Sequence, residues 1–253
     1  MADAYLVSGT AAEDASFRAL ADLTQALDGE ENAGVVGGHM VSILCARFPS
    51  PGTVERRTND ADGGVPAAFA ATGAPHERLL AAGYEAIDGN RYELVEENGA
   101  VRTVDLLVPT HSSKFASKSI DGRAFDSMPG LDLALARPLT VDLNVTLSNK
   151  SELELGVTLP AVEGAVILKS YAWAGRLATK DAIDLHSLFR VVVANREVIG
   201  DWRLDERPPR GARLDTARTL HALADQWETR PPKVTFESRL LVAGVRRHVA
   251  RPR

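Results

Sequence analysis

Between residues 13 and 27 the apolar side chains Phe17, Leu20, Leu23, Ala26 and Leu27 recur at helical spacing. Glu13 and Asp14 place negative charge in the first turn, where the helix dipole favours it, so an amphipathic helix is predicted. The apolar run Ala33–Val36 then reads as a short strand closed by Gly37 and Gly38, and His39–Phe48 returns to a helical pattern that Pro49 and Pro51 end. Thr53–Val65 reads as a strand that carries charges, and the alanine-rich Pro66–Gly83 as mostly helical. Three short strands, Tyr84–Ile87, Arg91–Val95 and Val101–Val108, are separated by turn signals at Asp88-Gly89-Asn90 and Asn98-Gly99. Pro109–Gly130 is polar and reads as irregular, and strands at Leu139–Leu147 and Glu152–Leu159 follow. Pro160 is placed in the first turn of a helix running to Arg176, with further helices at 180–194, 212–228 and 236–249. There is no internal repeat. The pattern predicts an α/β (α+β) class: a mixed sheet with flanking helices over residues 1–159, then a helical region over 160–253.

Composition narrows the class. The 253 residues are 45% hydrophobic and 25% charged, which is ordinary for a globular chain and excludes repetitive and low-complexity classes. The single cysteine, Cys45, cannot form an internal disulfide, and no Cys/His spacing suits zinc; a reducing compartment is implied, with Cys45 as a small core residue. The first residues lack a basic segment followed by an apolar one, and no window approaches the ~18 apolar residues of a membrane span, so a cytoplasmic protein is expected. The net charge of -5 is unevenly spread. Residues 196–253 hold 13 Lys and Arg against 8 Asp and Glu, and residues 1–195 hold 16 against 26. In the last stretch Arg230, Lys233, Arg239, Arg246, Arg247, Arg251 and Arg253 face one acid, Glu237. Such a segment either attracts a polyanion such as RNA or forms a solvated helix face.

The chemistry-bearing segment is Arg57-Thr58-Asn59-Asp60-Ala61-Asp62. On a strand, residues two apart share a face, so Asp60 and Asp62 stand side by side. Adjacent carboxylates repel unless a cation lies between them, and Mg²⁺ is commonly held by one or two carboxylates plus substrate phosphates. A third acid, Asp105, interrupts the apolar run Val104–Val108, which should be a central strand, and a buried acid there needs a partner. If the two strands are neighbours, the three carboxylates converge on a site able to hold one or two divalent ions for in-line attack at phosphorus. Gly37 and Gly38 let phosphates approach the backbone at a helix N-terminus, where amides favour anions, and His39 beside them is a candidate nucleotide contact. Taken alone, the Asp-x-Asp spacing occurs by chance in surface loops; it is the order of strand, Gly-Gly, helix, Asp-x-Asp strand and strand Asp that gives it meaning.

That order resembles the nucleotidyltransferase superfamily, whose core pairs a Gly-Gly or Gly-Ser turn with a downstream Asp-x-Asp and a third carboxylate. The closer likeness is to the AbiEii-type nucleotidyltransferase toxins and their MenT-like relatives, through Lys169-Ser170-Tyr171-Ala172-Trp173-Ala174-Gly175-Arg176 and Lys180-Asp181-Ala182-Ile183-Asp184-Leu185. It spans roughly residues 30–195; the tail matches no motif of that family. Many members have Ser where Gly38 stands here, and the stretch from Gly38 to Asp60 is longer than in compact members. The resemblance implies Mg²⁺ on Asp60, Asp62 and Asp105, a phosphate-facing Lys169, and nucleotide contacts from Gly37, Gly38, Arg176 and Asp184. It also implies an NTP substrate, a tRNA 3′ end as acceptor and a cognate antitoxin as partner. Read from the residues themselves, Lys169 and Arg176 share one face of a nearly all-apolar helix. Lys169 either meets phosphates, snorkels, or pairs internally with Asp181 or Asp184, two acids that share a face with core leucines. A small-molecule nucleotidyltransferase and an inactive binding protein of the same build are the rival readings. The chain has no Gly-x-Ser-x-Gly, His-Glu-x-x-His or P-loop pattern, which removes the common hydrolase and zinc-protease classes.

Overall fold

The computed structural model describes residues 3–252. The chain runs β1 (Ala4–Val7), α1 (Ala11–Ala26), β2 (Gly34–Val35), α2 (Gly37–Arg47), β3 (Asp60–Gly64), α3 (Ala67–Ala71), α4 (Ala74–Ala81), β4 (Glu85–Ala86), β5 (Arg91–Val95) and β6 (Val101–Thr110). It continues through β7 (Ala116–Ile120), β8 (Arg123–Pro129), α5 (Leu131–Leu135), β9 (Pro138–Thr146), β10 (Glu152–Pro160), α6 (Val162–Arg176), α7 (Thr179–Asn195), α8 (Ala212–Thr229) and α9 (Ser238–His248). This is a mixed α/β architecture with a helical C-terminal region, as the hydrophobic pattern predicts.

The larger sheet has the order β2-β3-β6-β5-β4, with β8 also on β6 and β7 on β8. β6 is its axis. Val104, Leu106 and Val108 are fully buried on the side that α1 covers with Leu20 and Leu23. Strand alternation turns Thr103, Asp105 and Leu107 to the opposite side. Gly63 permits this packing, since a Cβ there would lie 2.8 Å from Leu23 Cδ1. In the smaller sheet β1 runs parallel to β9, and β9 antiparallel to β10. β10 lies against β2, so the two sheets join at Gly34. The helices α6, α7, α8 and α9 pack on one another, with α7 also against α2 and α6 against α5.

Several expectations from the sequence need correcting. Only Asp60–Gly64 of the stretch Thr53–Val65 is strand; residues 53–59 are tied instead to α7, where Val54 donates its N–H to Ser187 and Arg56 pairs with Asp184. Pro109–Gly130 is not irregular: it contains the β7–β8 hairpin, and β8 adds to β6 in parallel. The hairpin turn is Asp121-Gly122, an Asp-Gly turn inside that polar stretch. Pro160 ends β10 opposite Pro138 rather than opening α6. α6 is buried from Val162 to Ala172 but its last turn is exposed. Cys45 is half-buried. The short elements β1 and α5 carried no signal strong enough to be read. Among the described residues no helix is long and apolar enough to cross a membrane.

Candidate functional site

The strand register makes the site. β3 and β6 are parallel neighbours, and Asp62 stands directly opposite Asp105. On the other side of β6 the partner changes at this point, from antiparallel β5, where Arg91 faces Asp105, to parallel β8, where Asp126 faces Leu107. Where β5 and β8 diverge, the sheet opens into a cavity of about 440 Å³ lined by both Asp-x-Asp carboxylates, Asp105, Gly37, Gly38 and Lys169.

Asp60, Asp62 and Asp105 each offer an oxygen within 4.8 Å of the other two. Thr58 donates its hydroxyl to Asp60 Oδ1 at 2.8 Å and fixes that carboxylate. Burial pushes the Asp62 carboxyl up to about 7; Asp60 and Asp105 add to the effect, while Lys169 and Lys180 oppose it. Burial likewise raises Asp105 to about 6, opposed by Arg91 and reinforced by Asp60, Asp126 and Glu93. Three half-buried carboxyls with oxygens this close together form a set of hard oxygen donors with room for a cation, which suits Mg²⁺.

Gly37 closes the roof. Its φ of +66° is left-handed, and a Cβ there would stand 1.7 Å from Asp62 Oδ2, so no other residue fits. The next residue, Gly38, meets Thr58 and Arg56 so closely that a Cβ would lie 2.6 Å from Thr58 Oγ1. The first turn of α2, which has no side-chain cap, therefore presents its amides beside the carboxylates.

Behind this cluster lies a buried ion network. Asp184, 2% exposed, accepts from Lys169 Nζ at 2.7 Å and from Arg56 Nε at 2.8 Å. Arg176 grips the fully buried Asp181 with two hydrogen bonds of 2.6 Å. Of the alternatives open for Lys169, the internal pair with Asp184 is thus present, and Lys169 and Arg176 nevertheless line the same cavity as Asp60 and Asp62. Asp184 does not line it: it holds Lys169 and Arg56 in place from behind.

His39 departs from expectation. It is 2% exposed and turned toward α1, where Nε2 lies 2.8 Å from Ser16 Oγ and the ring packs on Phe17; burial lowers it to about 4. A neutral histidine sealed behind α2 lies outside the carboxylate cavity. The basic tail is also partly spent, since Arg246 pairs with Asp225 at 2.5 Å and Glu228 at 2.7 Å. Arg247 is exposed and has no ion-pair partner among the described residues.

The structure adds residues that spacing did not single out: Arg56, Asp88, Asn90, Arg91, Asp126 and Lys180 all line the cavity. Asp126 was hidden in the segment read as irregular, although the alternation of buried Phe125 and Ser127 around it is a strand signal. Arg91 and Asn90 arrive through the Asp88–Asn90 turn, and only strand register places them beside Asp105. No family model matches the chain, and no curated protein matches it.

Proposed function

We propose that the chain is a Mg²⁺-dependent nucleotidyltransferase that moves a nucleoside monophosphate from an NTP to an acceptor hydroxyl. One observation carries the reading: three carboxylate oxygens within 4.8 Å of one another lie under a left-handed Gly37 and face a buried lysine. Asp60, Asp62 and Asp105 would hold the metal, which when bound lowers the charge at the α-phosphate and activates the acceptor oxygen. The amides of Gly37 and Gly38 receive phosphate oxygens, and Lys169, held by Asp184, supplies positive charge beside them. The acceptor oxygen attacks the α-phosphorus, the α–β anhydride bond breaks, and pyrophosphate leaves. The acceptor proton passes to Asp105, the carboxylate that lines the cavity from β6.

The resemblance to AbiEii-type toxins supports RNA, in particular the 3′ end of tRNA, as acceptor and a neutralising antitoxin as partner. A second reading, a small hydroxyl acceptor, is favoured by the pairing of Arg246 with Asp225 and Glu228, which takes charge from the segment that would hold RNA. Incubation of the purified protein with each labelled NTP, Mg²⁺ and total RNA tests both. The proposal expects label in RNA, lost in Asp60→Ala. Pyrophosphate release that depends on an added small acceptor, with RNA unlabelled, selects the second reading. No transfer with either acceptor sinks the enzyme.

A further inference from the structure

We infer that the groove between Phe115 and the last turn of α6 receives the base of the nucleoside triphosphate, with Phe115 as its stacking platform. The inference rests on the transferase reading above and names where that substrate's base lies. The groove is a space of about 590 Å³ that shares Phe115, Ala172 and Arg176 with the carboxylate cavity, so the two form one trough.

Phe115 is the feature to explain. It sits in the polar β6–β7 connection, after Ser112, Ser113 and Lys114, yet it is 43% exposed rather than folded into the core. Its ring reaches the last turn of α6, where a Cβ on Gly175 would lie 3.4 Å from Phe115 Cδ2. The facing wall is made of Ala172, Ala174 and Gly175, too small to cover the ring, together with Tyr171, which is itself buried and donates its hydroxyl to Asp215. A ring left open over a smooth wall, with Lys114 and Arg176 at the rim, suits a flat, partly polar heterocycle carrying a negatively charged tail.

The helix also supplies the right direction. Lys169, Ala172 and Arg176 follow i, i+3, i+7 spacing on one face of α6 and all line the carboxylate cavity. Seven residues cover about 10 Å along the axis. That leaves room for phosphates and a sugar between the carboxylates and the aromatic ring. Asp88, Asn90, Arg91 and Asp126 also line the carboxylate cavity, with Arg91 Nη1 3.4 Å from Asp105 Oδ2.

The test is equilibrium binding, in Mg²⁺, of each of the four NTPs and of inorganic tripolyphosphate to the wild type, Phe115→Ala and Phe115→Trp. Removing a stacking partner should weaken NTP binding by about 5- to 150-fold in Phe115→Ala. Tripolyphosphate, which has no base, should bind as before. Phe115→Trp should retain NTP affinity and lose indole emission on NTP but not on tripolyphosphate. Because the ring is exposed, an unchanged Tm for Phe115→Ala is the folding control. NTP affinity unchanged in Phe115→Ala, or lost equally for NTP and tripolyphosphate, overturns the base site and leaves the transferase reading standing. A wild type that binds neither ligand overturns both.

Discussion

Replacing Asp62 with Asn removes one of three crowded acids while keeping its shape, so function and stability should move in opposite directions. In the folded protein burial and the neighbouring carboxylates push Asp62 from an ordinary value of 3.8 to about 7. Each tenfold change in proton affinity corresponds to ~1.4 kcal/mol, so above neutral pH an ionised Asp62 costs at most on the order of 4 kcal/mol. Partial exposure to water screens the repulsion and reduces the expected gain from Asp62→Asn to on the order of 1–3 kcal/mol. For a chain of this size that is a rise in Tm of roughly 2–10 °C. The sign with pH follows from linkage. Near pH 4 and below, Asp62 is protonated in both folded and unfolded chains and the cost vanishes; it grows as pH climbs toward 7 and is constant above. Thermal unfolding of both proteins in EDTA, from pH 4 to 8.5, reads this directly. The variant's advantage should open between about pH 4 and pH 7, while added Mg²⁺ should raise the wild-type Tm more than the variant's. Equal Tm values at pH 8, or an advantage undiminished at pH 4, would show that the carboxylates do not repel as their geometry requires.

Lys169→Met keeps the apolar stem but leaves Asp184 with Arg56 alone. Losing one partner of a buried pair commonly costs ~3–5 kcal/mol, and the remaining guanidinium should hold the loss to about 1–3 kcal/mol. Turnover should fall by orders of magnitude, and the Asp62 titration followed by NMR should move up, because Lys169 is one of the charges that hold it down; a near-normal rate with an unmoved Asp62 would remove Lys169 from the site. In the tail the two arginines should separate. Arg247→Glu should weaken RNA binding and reduce its log–log salt slope by about one for the contact removed, leaving NTP affinity unchanged, whereas Arg246→Glu should mainly lower Tm by breaking its pairs with Asp225 and Glu228. An unaltered slope in Arg247→Glu would move the RNA elsewhere.

Short-range periodicity and side-chain chemistry could be read from the chain without its fold. The helices of the last third and the paired strands around Asn98-Gly99 were legible because their apolar spacing and turn residues act within a few positions. Asp60, Asp62 and Asp105 could be singled out because two acids on one strand face, and another inside an apolar strand, are costly without a partner. Tertiary structure decided the rest, because it depends on which distant segments meet. That Asp62 stands opposite Asp105 is a matter of register between strands about forty residues apart. β8 became a strand because β6 offers it a free edge, and with it came Asp126, which no local pattern assigns to the site. His39, adjacent in sequence to the glycines that line the cavity, points the other way, because the turn of a helix carries the next side chain round to α1. Lys169 and Arg176 found their acids on α7 only through helix packing, and that packing holds Lys169 at the carboxylate cavity.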